Sequence, residues 1–444
     1  MEEWIEEELE GVRLGDERLH QRLGRMLEKM GKRPVSSLPE ACGDWGELLG
    51  AYRFFANAKV SLSGVISGHR EATVGRMRGE KVVLCVQDTT FLSFGDCRET
   101  EGLGPHTHGH EHGLSLHPVV AVSPSGECLG TLWAKSWAKD QALEGKKTYK
   151  KRPVKERESW RWVEGLEAVN ALPEDLPMRV VVADREADIY RLMSQPRRAG
   201  VHWLVRAMHN RITSQKEKML EVLADTEALG EVELTVPRRR NVPSRTARME
   251  IKATRVEIQV AKRSKAEGSK LEISVIRARE IDPGKDPLDW ILLTDLPVTT
   301  LAEALEKVQW YRCRWKIEEL FHVLKSGCQV ERLQLESRQR LEAAVGVYLM
   351  VAWRLMQLKE QSRRYPDKDS SLLLSRQEWQ TLAKLNKQPT AQPPTLENAV
   401  TWIAKLGGYL NRKNDPPPGI KTLWKGLRRL QDIILGAALA DNCV

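Results

Sequence analysis

Three carboxylates in this chain of 444 residues stand where chemistry could use them. Asp88 closes the apolar run "KVVLCVQD", and Asp184 closes "MRVVVAD". Each run reads as a buried strand, so each acid arrives at a strand's carboxyl end, a costly place for a charge that nothing uses. Glu318 comes much later, in "YRCRWKIEELFHVLK", residues 311 to 325. If the three converge, they repel one another unless cations neutralise them. An all-oxygen set suits hard divalent ions, Mg²⁺ with Mn²⁺ able to substitute, and two such ions about 4 Å apart are a device for phosphoryl transfer. Taken singly, each acid reads equally well as an ordinary strand-end or helix-surface carboxylate.

The neighbours of Glu318 weigh against the plain reading. Tyr311, Arg314, Glu318 and Lys325 step by three, four and seven, so on one long helix they share a face. A phenol donor, a guanidinium fork and an ammonium point charge are phosphate-binding types. The stripe therefore reads as one metal ligand among groups that grip a nucleic-acid backbone. Two further acids in "DREAD", Glu186 and Asp188, are passed over because Asp184 alone directly follows the strand. "HTHGHEHGLSLH" gathers His106, His108, His110, His112 and His117. It reads as a loop with opportunistic Zn²⁺ or Ni²⁺ affinity, and His117, at the start of the next strand, could approach the catalytic acids.

The elements that must position these groups follow from periodicity. Residues 1 to about 75 form a small helical domain. Within it "LGDERLHQRLGRMLEKMGKRP" has Asp16 as N-cap, Leu19, Leu23, Met26, Leu27 and Met30 as its apolar stripe, and Arg18, Arg22 and Arg25 beside it. Strands at 81–90, 116–122 and 127–137, a helix at about 155–170, a strand at 178–184 and another at 201–207 predict a mixed α/β sheet. From 208 to about 300 the strands alternate without helices between them, as an all-β insertion whose turns are Arg-rich: "RRRNVPSRTAR" has five arginines in eleven residues. Residues 300–362 are helical, and 363–444 form a final helical segment.

Lys plus Arg is 70 and Asp plus Glu 61, a formal charge of +9, and six glutamates lie in the first ten residues, so the remainder is more basic still. That balance is compatible with a polyanionic partner. The seven cysteines form no C-x-x-C pair, which argues against a disulfide framework or zinc ribbon and for a reducing compartment. With no run of 18 apolar residues and an acidic start, we expect a soluble cytoplasmic protein, nucleoid-associated and without a membrane partner.

"Y-x2-R-x3-E-x6-K" resembles the signature of the DDE transposases of the insertion-sequence-four family. The resemblance runs nearly the full length, through "LGDERLHQRL", "AYRFFAN", "DTTFLSF", "DREADIY", "LVRA", "WILLTDLPV", "YRCRWKIEELF", "IAKLGGYL" and "LWKGLRRLQD", in order. It departs from the pattern in the His-rich loop after the first acid and in local lengths. The resemblance implies a ribonuclease-H-like catalytic core at 76–362 carrying the β insertion, with a DNA-binding domain before it and a dimerisation domain after it. Asp88, Asp184 and Glu318 become the catalytic metal-binding triad, and Tyr311, Arg314 and Lys325 hold phosphates near the transposon end. It also implies that Trp290 stacks on a flipped base, and that Arg206, Arg22 and Arg53 contact DNA. The implied activity is cut-and-paste transposition: nicking of transposon ends, hairpin formation and opening, and joining to target DNA by a homodimer. A nuclease on the same core without strand transfer is the rival enzyme reading, and an inactive end-binding relative the rival binding reading.

Overall fold

The computed structural model describes residues 3–95, 99–106, 111–139, 153–236, 245–259, 270–282, 287–413 and 415–441. His108, His110, the basic run at 146–152 and the Arg-rich turn up to residue 244 lie outside them.

Eleven strands join in one mixed sheet: β1 (Val82–Gln87), β2 (Thr90–Ser93), β3 (Gly104–Pro105), β4 (His112–Val122), β5 (Cys128–Trp137), β6 (Met178–Ala183), β7 (Val201–Arg206), β8 (Gly230–Val236), β9 (Arg245–Ile258), β10 (Leu271–Glu280) and β11 (Asp289–Thr294). β1, β6 and β7 are parallel neighbours, while β4 lies antiparallel on the other edge of β1 and pairs in turn with β2, β3 and β5. Leu84 and Val86 of β1 bury on one face of the sheet, and Val83 and Cys85 on the other. Burial on both faces is why the run is continuously apolar instead of alternating with polar residues.

One face is covered by the Arg161–Asn170 helix, which contributes Trp162, Leu166 and Val169. The other meets the helices Leu301–Arg312, Trp315–His322 and Arg338–Arg364, with the N-terminal helices behind them. Arg338–Arg364 is long and apolar enough to cross a membrane by length and composition, but its apolar stretch is buried in this core.

The expected N-cap forms: the Asp16 carboxylate accepts the Arg18 N–H at 2.9 Å, and the five apolar positions of Glu17–Lys32 are buried. The first helix, Glu3–Leu9, is tied to the rest through a buried acid. Glu8 accepts from the His69 ring and from Arg76 Nη1 at 2.9 Å, while His69 Nε2 accepts the Thr131 N–H at 2.9 Å. That acceptance leaves the ring proton on Nδ1, facing the Glu8 carboxylate. At the C-terminus the helices Leu396–Leu406 and Ile420–Asp441 touch backbone to backbone: a Cβ on Gly426 would lie 1.8 Å from the Ile403 carbonyl oxygen.

Residues 208–300 are not all-β. Met219–Asp225 is helical, because Met219 and Leu223 recur at helical spacing and bury against β9 and β10. The strands of this stretch also continue the central sheet, since β11 pairs antiparallel with β7.

Candidate active site

Strand register brings the first two acids together. Val86 of β1 pairs with Val182 of β6, so Asp88 and Asp184 each lie two residues beyond that pair. Neighbouring strands run about 4.8 Å apart, which sets the two residues side by side at the carboxyl ends. Side-chain alternation chooses the face. Leu84 and Val86 lead to Asp88, Val180 and Val182 to Asp184, Leu204 to Arg206, and Leu292 back to Trp290, all in the core shared with the 301–322 helices. Four expected site residues thus come from one face of four strands through a period of two.

Glu318 reaches the same place from the Trp315–His322 helix, and Arg314 marks the meeting point. Its Nη1 donates to Asp88 Oδ2 at 2.9 Å and its Nη2 to Glu318 Oε1 at 2.5 Å. Burial, reinforced by the nearby Asp184 charge, pushes the Asp88 carboxyl up to about 6 against the opposing pull of Arg314. Asp184 is half-buried and caps the turn Arg185–Ala187, accepting the Glu186 N–H at 2.9 Å. Among the described residues no three His, Cys, Asp or Glu side chains gather closely enough to hold a metal ion, and a guanidinium stands between two of the acids.

The single long helix expected over 300–325 is broken. Leu301–Arg312 ends at Cys313, because the N–H groups of Arg314, Lys316 and Ile317 donate three residues back, to Tyr311, Cys313 and Arg314, instead of four. After Trp315–His322 the chain widens into a π turn, Val323–Gly327. Even so, Arg314 keeps Glu318 at 2.5 Å and the Tyr311 ring at 6.0 Å beside it, so three of the four stay together, and Lys325, within the π turn, has partners of its own. Tyr311 is buried, with its ring edge-on to Trp290 at 5.8 Å; burial raises its phenol while Arg314 and Arg206 oppose. Lys325, in the π turn, donates to the Phe91 carbonyl at 2.5 Å and pairs with Glu331 at 3.7 Å. Tyr311 thus faces the interior, while the Lys325 side chain stays partly exposed beside Glu331.

Arg206 donates to the Asp289 carbonyl at 3.2 Å and lies beside Tyr311 and Arg314. Arg22 pairs with Glu47 at 2.7 Å and its guanidinium packs over Gly50, joining two helices, whereas Arg53 is exposed on Trp45–Ala56. His117 belongs to the opposite face: its ring meets Trp162 at 4.7 Å, Nε2 contacts Gln87 Oε1 at 3.1 Å and Nδ1 contacts Thr89 Oγ1 at 2.9 Å. Burial holds it well below the ordinary histidine range, so it is neutral, and it meets the first acid through the Asp88 backbone and through Thr89, the next residue. The His106 ring lies tilted against Phe91, with centroids 4.5 Å apart. Asp188 is buried and committed, accepting the Met208 and His209 N–H groups at 2.7 and 2.8 Å and pairing with Arg211. This favours Asp184 as the second acid.

Two features escaped the sequence reading. Arg161 donates from Nε to Thr89 Oγ1 at 2.8 Å and pairs with Glu186 at 2.5 Å, bracing the loops behind both strand-end acids. Trp315, 54% exposed, lines a cavity of about 540 Å³ with Trp290, Arg312 and Lys316. Its adjacency to Arg314 in the quoted stretch was the available signal. Behind this cavity Lys316 pairs with Glu360 at 2.6 Å, and Lys359 pairs with Glu319, fastening the Glu318 helix to Arg338–Arg364.

Comparison with known families gives three matches: a transposase DNA-binding region over residues 1–60, a transposase DDE domain over 136–354, and a transposase Tn5 dimerisation domain over 350–443. The DDE match contains Asp184 and Glu318, and Asp88 precedes it. Among solved structures, the piggyBac transposase synaptic complex with hairpin DNA is similar at 9% identity and a TM-score of 0.34, over 80% of this chain. The present chain spans 57% of that chain's length.

Proposed function

The chain belongs to the DDE transposases, and from that premise we propose that it cuts transposon-end DNA by phosphoryl transfer at Asp88, Asp184 and Glu318 and joins the ends to target DNA. The strand order β5–β4–β1–β6–β7, with β1, β6 and β7 parallel and β4 antiparallel beside them, supports a ribonuclease-H-like core. The observation that carries the reading is the Arg314 bridge, which brings an acid from a strand end and an acid from a distant helix to one guanidinium.

The donor chemistry fits a divalent cation. The three groups offer oxygen alone, and Asp88, raised first by burial and then by the Asp184 charge in spite of Arg314, is an acid whose charged form a further cation would stabilise. Asp88, Asp184 and Glu318 would hold Mg²⁺. When bound, the cation supplies Lewis-acid stabilisation of the charge that develops on the phosphate. The protein's own groups do the rest. Arg161 and the neutral His117 fix Thr89 and with it the Asp88 loop, and Arg206 and Arg314 set positive charge where the DNA backbone enters. Trp290 and Trp315 offer aromatic faces at the adjoining cavity, suited to a base extruded when the end folds into a hairpin. Residues 1–60 bind the end, and the C-terminal helices pair two protomers so that both ends are held.

The test is a gel assay of nicked, hairpin and joined products on end DNA in Mg²⁺. Asp88→Ala, Asp184→Ala and Glu318→Ala should each lose cleavage while retaining end binding. Cleavage near the wild-type rate in any of them removes that residue from the triad. Cleavage with no joined product would make the protein a nuclease.

A further inference from the structure

We propose that the Arg314 guanidinium is a built-in counter-cation of the Asp88–Glu318 pair, which a divalent cation must displace, so that cation loading and the release of Arg314 toward a DNA phosphate are a single exchange. The inference rests on the triad as the cation site.

Arg314 uses two different nitrogens for acids that lie 226 and four residues away in sequence. Its side chain is 13% exposed, so it is held between the carboxylates instead of lying across them. A planar fork joined to two carboxylates fills the space between them with one positive charge, and a divalent ion would draw on the same two carboxylates. The two cations compete for that space.

A displaced guanidinium needs another anion. Apart from the triad, the groups against Arg314 are Tyr311, with its hydroxyl in hydrogen-bonding reach and its ring at 6.0 Å, the Trp315 ring at 5.4 Å and the cation Arg206. None can accept it as a carboxylate does. A phosphate brought by the DNA can, because the guanidinium fork matches a phosphate edge as well as it matches a carboxylate. The cation alone therefore binds weakly, and backbone and cation each strengthen the other's binding, as linkage requires. The arrangement also keeps the metal-free site assembled, since the acids have a partner before either ligand arrives.

The experiment is Mn²⁺ binding to the full chain at pH 8 without DNA, read from the free-ion electron paramagnetic resonance signal. R314Q should bind Mn²⁺ at least about tenfold more tightly than the wild type, which corresponds to about 1.4 kcal/mol. R314K keeps the charge but not the fork and should fall between the two, which guards against a misfolded glutamine variant. In chelator R314Q should melt below the wild type, and Mn²⁺ should raise its midpoint more. If R314Q binds Mn²⁺ no more tightly than the wild type, while D184N abolishes binding in either background, the exchange is wrong and the triad site stands. If binding survives D184N, the triad site itself is wrong and the exchange falls with it.

Discussion

Asp88→Asn should make the metal-free protein more stable at neutral pH while ending its catalysis. The Asp88 carboxyl, ordinarily near 3.8, is pushed up to about 6 by burial and by Asp184. A displacement of about two units is worth roughly 3 kcal/mol at about 1.4 kcal/mol per unit. The side chain is 18% exposed, so solvent screening removes little of it. Between about pH 4 and 6 the folded protein keeps a proton that the unfolded chain has lost. Stability therefore falls as pH rises through that window and stays lower above it. The bond from Arg314 is already included, because the displacement is what remains after its pull. Asparagine keeps the shape and removes the charge, so the variant escapes the loss. In a chain of 444 residues that corresponds to a rise of a few degrees in the apparent midpoint. Thermal melts in chelator at pH 8 and pH 4 are the assay. The variant should melt above the wild type at pH 8, and the two should approach each other at pH 4. Added Mg²⁺ should narrow the gap at pH 8 by stabilising the wild type alone. An asparagine variant that melts at or below the wild type at pH 8 would show that the Arg314 bond outweighs burial, and the reasoning would fail.

Trp290→Ala should accumulate nicked ends and lose hairpins by roughly ten- to hundredfold, since stacking on one base is worth about 1–3 kcal/mol; equal slowing of both steps on a time-resolved gel would make Trp290 a core aromatic only. Arg53→Ala should weaken end binding and lower the steepness of its salt dependence by about one ion, while Arg22→Ala should chiefly lower the melting midpoint by opening the Glu47 pair; salt titrations and melts separate the two. Gly426→Ala should destabilise the C-terminal helix pair by about 2 kcal/mol or more, because no Cβ fits against the Ile403 carbonyl, and limited proteolysis of residues 396–441 should detect it.

The acids were legible because a buried strand is a long apolar run, and its last polar residue is where a charge emerges. Register then did what no single run could reveal: Asp88 and Asp184 are 96 residues apart in sequence, yet both lie two residues past one strand pair. The helical stripe held for Tyr311, Arg314 and Glu318 and not for Lys325, because its spacing presumed an unbroken helix. The i−3 bonds around Cys313 and the π turn at Lys325 depend on tertiary contacts, such as the Cys313 thiol against the Pro124 carbonyl at 3.6 Å. The type of each arginine was informative and its engagement was not. Arg22, Arg53 and Arg314 look alike in sequence, while Glu47 and Asp88 decide which of them are already occupied. The exposure of Trp315 was hidden because an aromatic inside a helical pattern reads as core.

The pairing of β11 with β7 has a consequence for how this enzyme could change its substrate. Trp290 and Asp184 belong to one hydrogen-bonded lattice, separated by the single strand β7. Two strand spacings, about 10 Å, separate aromatic from acid across the lattice. A sheet of this kind is a ruler. On the proposed reading, with the cleaved phosphate at Asp184 and an extruded base on Trp290, the length of DNA between them is set in strand spacings, and lengthening a loop at the sheet's rim does not adjust it. Lineages that cut at a different offset would have to slip a strand by two residues or move the aromatic to a neighbouring strand, and either step leaves a mark that can be read from register alone.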